Sequence, residues 1–123
     1  MFDPNYILLY VSNVPASAQF YGALLERTPV EDHPTFALFV LGSGVKLGLW
    51  AKHTVEPPAP AHNGGSELAF TVSDADVVRS THAAWLARGL PIVQPPTELD
   101  FGTTFVALDP DGHRLRVFAP GGE

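Results

Sequence analysis

The chain opens on a block of apolar residues, Tyr6-Ile7-Leu8-Leu9-Tyr10-Val11, which stops at Ser12-Asn13-Val14. Sixty-one residues further on, Glu67-Leu68-Ala69-Phe70-Thr71-Val72 stops in the same way at Ser73-Asp74-Ala75. Both blocks have the length of a strand, and both end where the short polar side chain of Asn13 or Asp74 can cap a helix. Helical spacing follows each. Over residues 14–27 it is carried by Phe20, Tyr21, Leu24 and Leu25, with Pro15 in the first turn, where a missing N–H costs nothing. Over residues 75–88 it is carried by Val77, Val78, Thr81, Ala84 and Trp85, with Gly89 as the stop. Three strand-like segments then follow each helix, at 29–32, 35–41 and 45–52 in the first half and at 92–94, 103–108 and 113–119 in the second. The closing strands match as well, Val45-Lys46-Leu47-Gly48-Leu49-Trp50 against His113-Arg114-Leu115-Arg116-Val117-Phe118. Gly42-Ser43-Gly44 reads as a hairpin turn.

The plan is therefore βαβββ, twice. Residues 52–66 carry Pro57, Pro58, Pro60, Gly64 and Gly65 and read as an exposed connection between the copies. A half of about 60 residues buries too little surface to be stable alone, so the halves are expected to pack together, within one chain or between two. The expected organisation is one domain over residues 1–123, with a first module to about 53, a connection over about 54–65 and a second module over 66–123.

Composition narrows the chemistry. Seven Lys and Arg stand against thirteen Asp and Glu, a net charge of −6, which argues against nucleic-acid and anionic membrane partners. With no Cys there is no disulfide, no thiolate metal site and no cysteine nucleophile. The longest apolar runs, such as 6–11, are too short to span a bilayer, and no basic leader precedes a long apolar run, so the expected location is the cytoplasm. No serine sits in a Gly-x-Ser-x-Gly setting, and no catalytic residue is assigned. His33, His53, His62, His82 and His113 lack the local spacing of a metal site and are read as surface or capping residues, with His33 in a turn. Asp109 and Asp111 are read as turn chemistry.

Two sets of residues carry a family resemblance: Tyr10-Val11-Ser12-Asn13-Val14 with Phe20-Tyr21 and Leu24-Leu25, and Asp109-Pro110-Asp111-Gly112-His113 before the last strand. They resemble the vicinal oxygen chelate superfamily of glyoxalase I, bleomycin-resistance proteins and extradiol dioxygenases. Trp50, Ser66-Glu67, Phe101-Gly102-Thr103-Thr104-Phe105 and Arg116-Val117 further resemble the phenazine antibiotic resistance proteins of that superfamily. The resemblance implies an α+β fold in which two βαβββ modules curl into a half-open barrel around a cleft. It also implies a homodimer with paired or exchanged modules. Metal-dependent members place one ligand on each of the first, fourth, fifth and eighth strands, typically His or Gln, Glu, His and Glu. Those positions fall here on Tyr6, Gly48, Glu67 and Arg116. Glycine offers no ligand and arginine cannot deprotonate to become one, so no metal and no cofactor are expected.

Strand alternation then sets the lining of the cleft. Tyr6, Leu8 and Tyr10 share one face with Lys46, Gly48 and Trp50, while Leu9, Val11, Leu47 and Leu49 share the other. In the second half Glu67, Ala69, Thr71, Arg114, Arg116 and Phe118 face the cleft, and Leu68, Phe70, Val72, Leu115 and Val117 pack behind. A slip of one residue would bury Glu67 and Arg116 beneath a helix, which fixes the register. Trp50 is either a stacking surface for a flat ligand or a filler of the barrel, and Gly48 would leave room beside it. Arg116 suits a ligand carboxylate and Glu67 a ligand N–H or O–H, unless the two form a structural ion pair. Phe101 and Phe118 are candidate apolar walls, although core packing is the commoner role for them and for Phe36.

The resulting expectation is a metal-free protein that sequesters a small planar aromatic compound, such as a phenazine-like antibiotic. Its ligand-binding residues are Trp50, Glu67, Arg116, Tyr6, Gly48, Phe101 and Phe118. The alternative is a metal-dependent enzyme of the glyoxalase or dioxygenase type with a non-standard ligand set.

Overall fold

A computed structural model describes residues 4–58 and 66–121. The chain divides into two compact units, Met1–His62 and Asn63–Glu123. Each is a mixed four-stranded sheet carrying one helix, so the fold is α+β and the doubled plan of the sequence is present.

In the first unit β1 (Tyr6–Val11) leads through α1 (Val14–Leu25) to β2 (Glu31–His33), β3 (Phe36–Val40) and β4 (Lys46–Ala51), in sheet order β1-β4-β3-β2. Asn13 caps α1 by accepting the Ala16 N–H at 3.0 Å. The helix ends at Glu26 in the left-handed region (φ 53°). Parallel pairing of β1 with β4 needs the helical crossover, and it sets Tyr6 opposite Lys46, Leu8 opposite Gly48 and Tyr10 opposite Trp50. Leu9, Val11, Leu47, Leu49, Ala37 and Phe39 are buried with Val14 and Tyr21 of the helix, while Tyr6, Leu8 and Tyr10 are exposed. Ile7 shares the packing face by alternation yet keeps a third of its surface exposed.

The second unit runs β5 (Glu67–Thr71), α2 (Ala75–Ala87), β6 (Ile92–Leu99), β7 (Gly102–Leu108) and β8 (Arg114–Pro120), in order β5-β8-β7-β6. Asp74 caps α2 through the Val77 N–H at 3.0 Å. At the other end Leu90 donates to the Trp85 carbonyl and Gly89, at φ +85°, donates to that of Leu86. This is a Schellman ending that also buries Leu90. Beneath the helix Trp85 meets Phe105 and Phe70 edge to face at 5.4 and 6.0 Å, and His82 meets Phe105 at 5.3 Å.

Four sequence readings change. Residues 92–94 are only the start of β6, which continues through Pro95 and Pro96 to Leu99. Proline is tolerated because β6 is an edge strand whose pairing with β7 shifts register around these residues. His113 is buried rather than at the surface, behind a turn in which the Asp109 carboxylate accepts the N–H groups of Asp111 and His113 at 2.9 and 2.8 Å. His33 closes β2 instead of lying in the turn that follows. The connection is not wholly exposed: residues Lys52–Thr54 form a 3₁₀ turn and Val55 behind it is buried. Pro60, His62, Gly64 and Gly65 lie outside the described residues.

Gly102 holds the start of β7 at φ +141°, and a Cβ there would collide with the Ala119 carbonyl oxygen and stand 2.5 Å from the Gly121 nitrogen. Both obstacles are backbone and cannot yield. Gly102→Ala is therefore expected to lower stability by about 2–4 kcal/mol in urea unfolding followed by circular dichroism.

Candidate functional site

Each sheet has one face covered by its helix and one left open. On the open face of the first unit the cross-strand pairs are in contact. The Tyr10 and Trp50 rings meet edge to face at 6.2 Å, and Lys46 Nζ lies 5.2 Å from the centre of the Tyr6 ring. Trp50 is half-buried, so part of its ring surface remains open. Gly48 does not leave the gap expected of it. A Cβ at that position would lie 2.6 Å from Leu8 Cδ2 and 3.1 Å from the Phe36 ring, so these two side chains already fill the space. The glycine is there to let neighbouring side chains close over the strand.

The open face of the second unit is organised around Arg116. Its Nε donates to Glu67 Oε2 at 2.9 Å and its Nη1 to the Thr104 hydroxyl at 3.2 Å. The Thr104 hydroxyl donates in turn to the Val117 carbonyl at 3.0 Å. Phe101 covers the guanidinium, its ring centre 5.8 Å from Cζ, and meets Phe118 edge to face at 5.9 Å. Phe101 is 44% exposed and belongs to this face, not to the core. Four of the predicted residues, Glu67, Arg116, Phe101 and Phe118, are thus gathered on one sheet; Trp50, Tyr6 and Gly48 share the other.

Beside Arg116 lies a groove of about 420 Å³ lined by Val93, Gln94, Pro95, Thr97, Leu99, Val106, Arg114 and Arg116. That volume is in the range of small-molecule sites, which combine apolar walls with a few placed polar groups. Most of its wall belongs to β6, of which the sequence reading gave only the first three residues, 92–94. Thr104 was missed too; its signal is a polar side chain in an otherwise apolar strand, buried to 0% exposure.

The four positions carried over from metal-dependent proteins do not make a donor set for a divalent cation. Gly48 has no donor, Arg116 is a fixed cation, and the Glu67 carboxylate is engaged by that cation at 2.9 Å. Among the described residues no group of three or more His, Asp or Glu side chains converges as a metal site. Nor is any helix there long and apolar enough to cross a membrane.

Residues 4–117 match the Glyoxalase/Bleomycin resistance protein/Dioxygenase superfamily. The chain belongs to this superfamily. It is 30% identical over 118 residues to the phenazine antibiotic resistance protein EhpR of Enterobacter agglomerans, an alignment covering 93% of this chain and 89% of that one. A protein from Agrobacterium tumefaciens solved by solution NMR is 55% identical, with a TM-score of 0.91 over 99% of this chain and 100% of its own. A superfamily protein from Nocardioides is 26% identical, with a TM-score of 0.84 over 100% of this chain and 87% of its own.

Within this superfamily member, the Thr104 hydroxyl serves two partners at full burial, whereas the Glu67–Arg116 pair is partly open to water. Thr104→Val is expected to cost about 1–3 kcal/mol and Glu67→Gln less than about 1 kcal/mol. Parallel thermal and urea unfolding of the two variants checks the order.

Proposed function

We propose that this chain is a binding protein that sequesters a small planar aromatic compound of the phenazine kind in the cytoplasm, and so confers resistance to it, without metal or catalysis. The observation that carries this reading is the Arg116–Glu67 pair, held by Thr104 and covered by Phe101, where metal-dependent superfamily members hold a cation. A groove of about 420 Å³ beside a fixed guanidinium, with apolar walls, suits a flat molecule carrying a few polar groups. The likeness to a phenazine antibiotic resistance protein supports the class of ligand.

In this reading Trp50, with Tyr10 against its edge, supplies a stacking surface, and Tyr6 and Lys46 extend it. On the second unit Arg116, Phe101 and Phe118 supply ligand contacts, with Glu67 orienting Arg116. Gly48 acts through the close packing of Leu8 and Phe36 rather than through space of its own. The reading includes a homodimer, supported by the exposed apolar side chains Tyr6, Leu8 and Tyr10 on edge strand β1. Sedimentation equilibrium is expected to return twice the 13.2 kDa chain mass.

Ligand binding can be followed by tryptophan fluorescence, because the other indole, Trp85, is buried under α2 against Phe70 and Phe105 and gives a steady background. Phenazine carboxylate is expected to quench the Trp50 emission at saturable, stoichiometric occupancy. Trp50→Ala, titrated by calorimetry, is expected to bind about ten-fold more weakly or worse, as loss of an aromatic anchor does. Unchanged affinity in that variant, or stoichiometric zinc, nickel, manganese or iron in protein purified without chelators, would overturn the reading.

A further inference from the structure

We infer that Arg114, rather than Arg116, is the residue that selects the ligand's charge, and that the ligand is a planar acid whose anionic group meets Arg114 in the groove of the second unit. The inference rests on the binding role proposed above and adds to it the charge of the ligand and the residue that reads it.

Arg114 and Arg116 are alternate residues of β8, so their side chains leave the same face, and both line the groove. Their circumstances differ. Arg116 is committed: Nε to Glu67, Nη1 to Thr104, its plane beneath Phe101, and its side chain only 18% exposed. Arg114 is exposed, and its side chain forms no hydrogen bond or ion pair among the described residues. The strand register makes this uneven. Glu67 stands directly opposite Arg114 across β5 and β8, yet its carboxylate bonds to the diagonal neighbour Arg116. The acid that could have neutralised Arg114 is spent on Arg116.

Two guanidinium groups therefore face one carboxylate, which leaves a net positive charge on this face of a chain whose overall charge is −6. No acidic side chain lines the groove, and its remaining wall is mostly apolar, with Val93, Leu99 and Val106 among the lining residues. An apolar slot with a single uncommitted guanidinium at its β8 wall matches a flat molecule with one anionic edge. The fork of donors on Arg114 fits a carboxylate in two parallel bonds. A neutral analogue of the same shape would fill the slot and leave that cation unanswered.

The test compares phenazine carboxylate with neutral phenazine carboxamide, each titrated calorimetrically into the full chain. The acid is expected to bind about ten-fold more tightly than the amide. Arg114→Gln is expected to erase that preference to within about two-fold, Arg114→Lys to keep part of it, and added salt to weaken the acid far more than the amide. Equal affinity of the two compounds for the unaltered chain overturns the inference while leaving the binding role intact, as does a preference that survives Arg114→Gln. Failure of both compounds to bind overturns the binding role and this inference together.

Discussion

A guanidinium near the middle of a sheet has to be answered, and the way Arg116 is answered determines much of the second unit. It sits on β8 between β5 on one side and β7 on the other. From β5 comes a carboxylate, from β7 a hydroxyl, and from the turn before β7 an aromatic ring. The pair is partly open to water, so its net contribution to stability is small. Its contribution to geometry is larger. Two strands and one turn converge on a single planar group of a third strand, and these contacts set the directions of its donors.

The two units repeat one plan for the buried face and diverge on the open one. Leu47 and Leu49 of β4 correspond to Leu115 and Val117 of β8, all buried and aliphatic, since each must pack against a helix. At the alternate positions Lys46, Gly48 and Trp50 correspond to Arg114, Arg116 and Phe118, and Tyr6, Leu8 and Tyr10 to Glu67, Ala69 and Thr71. Core packing constrains one face of each strand and leaves the other free for chemistry. The first unit spends that freedom on aromatic edges, the second on ions. In the first unit the small residue, Gly48, lets Leu8 and Phe36 close over the strand. Its counterpart in the second is an arginine, Arg116.

What the sequence made legible follows from the same division. Strand alternation and helix caps are short-range signals, so both helices, all eight strands and the two faces of each sheet could be read from spacing alone, with β6 cut short. The caps at Asn13 and Asp74 and the stop at Gly89 act within a few residues of where they stand. Two kinds of feature were not legible. The extent of β6 depends on its place at the sheet edge, which alone makes Pro95 and Pro96 acceptable, and edge position is a property of the whole sheet. The state of Gly48, Phe101 and Arg114 depends on which neighbours reach them from other strands. Spacing placed Gly48 and Arg114 on the correct face and left Phe101 to be read as core; it carried no information on whether a gap was filled, a ring exposed or a charge already matched.

The close approach of β7 and β8 also accounts for the position of Phe101. Gly102 pairs with Pro120 at the start of the β7–β8 ladder, and its missing Cβ lets the two backbones approach. That approach allows the Gly121 N–H to reach the Phe101 carbonyl at 2.8 Å. With its carbonyl so fixed, Phe101 is held at the turn where its ring covers Arg116 and touches Phe118. One glycine at a crowded crossing thus positions an exposed aromatic ring, and the ring in turn covers one side of the guanidinium. An isolated Phe at 44% exposure would look like a surface accident. Phe101 has its carbonyl tied to Gly121 and its ring in contact with Arg116 and Phe118, so its place follows from the ladder rather than from burial.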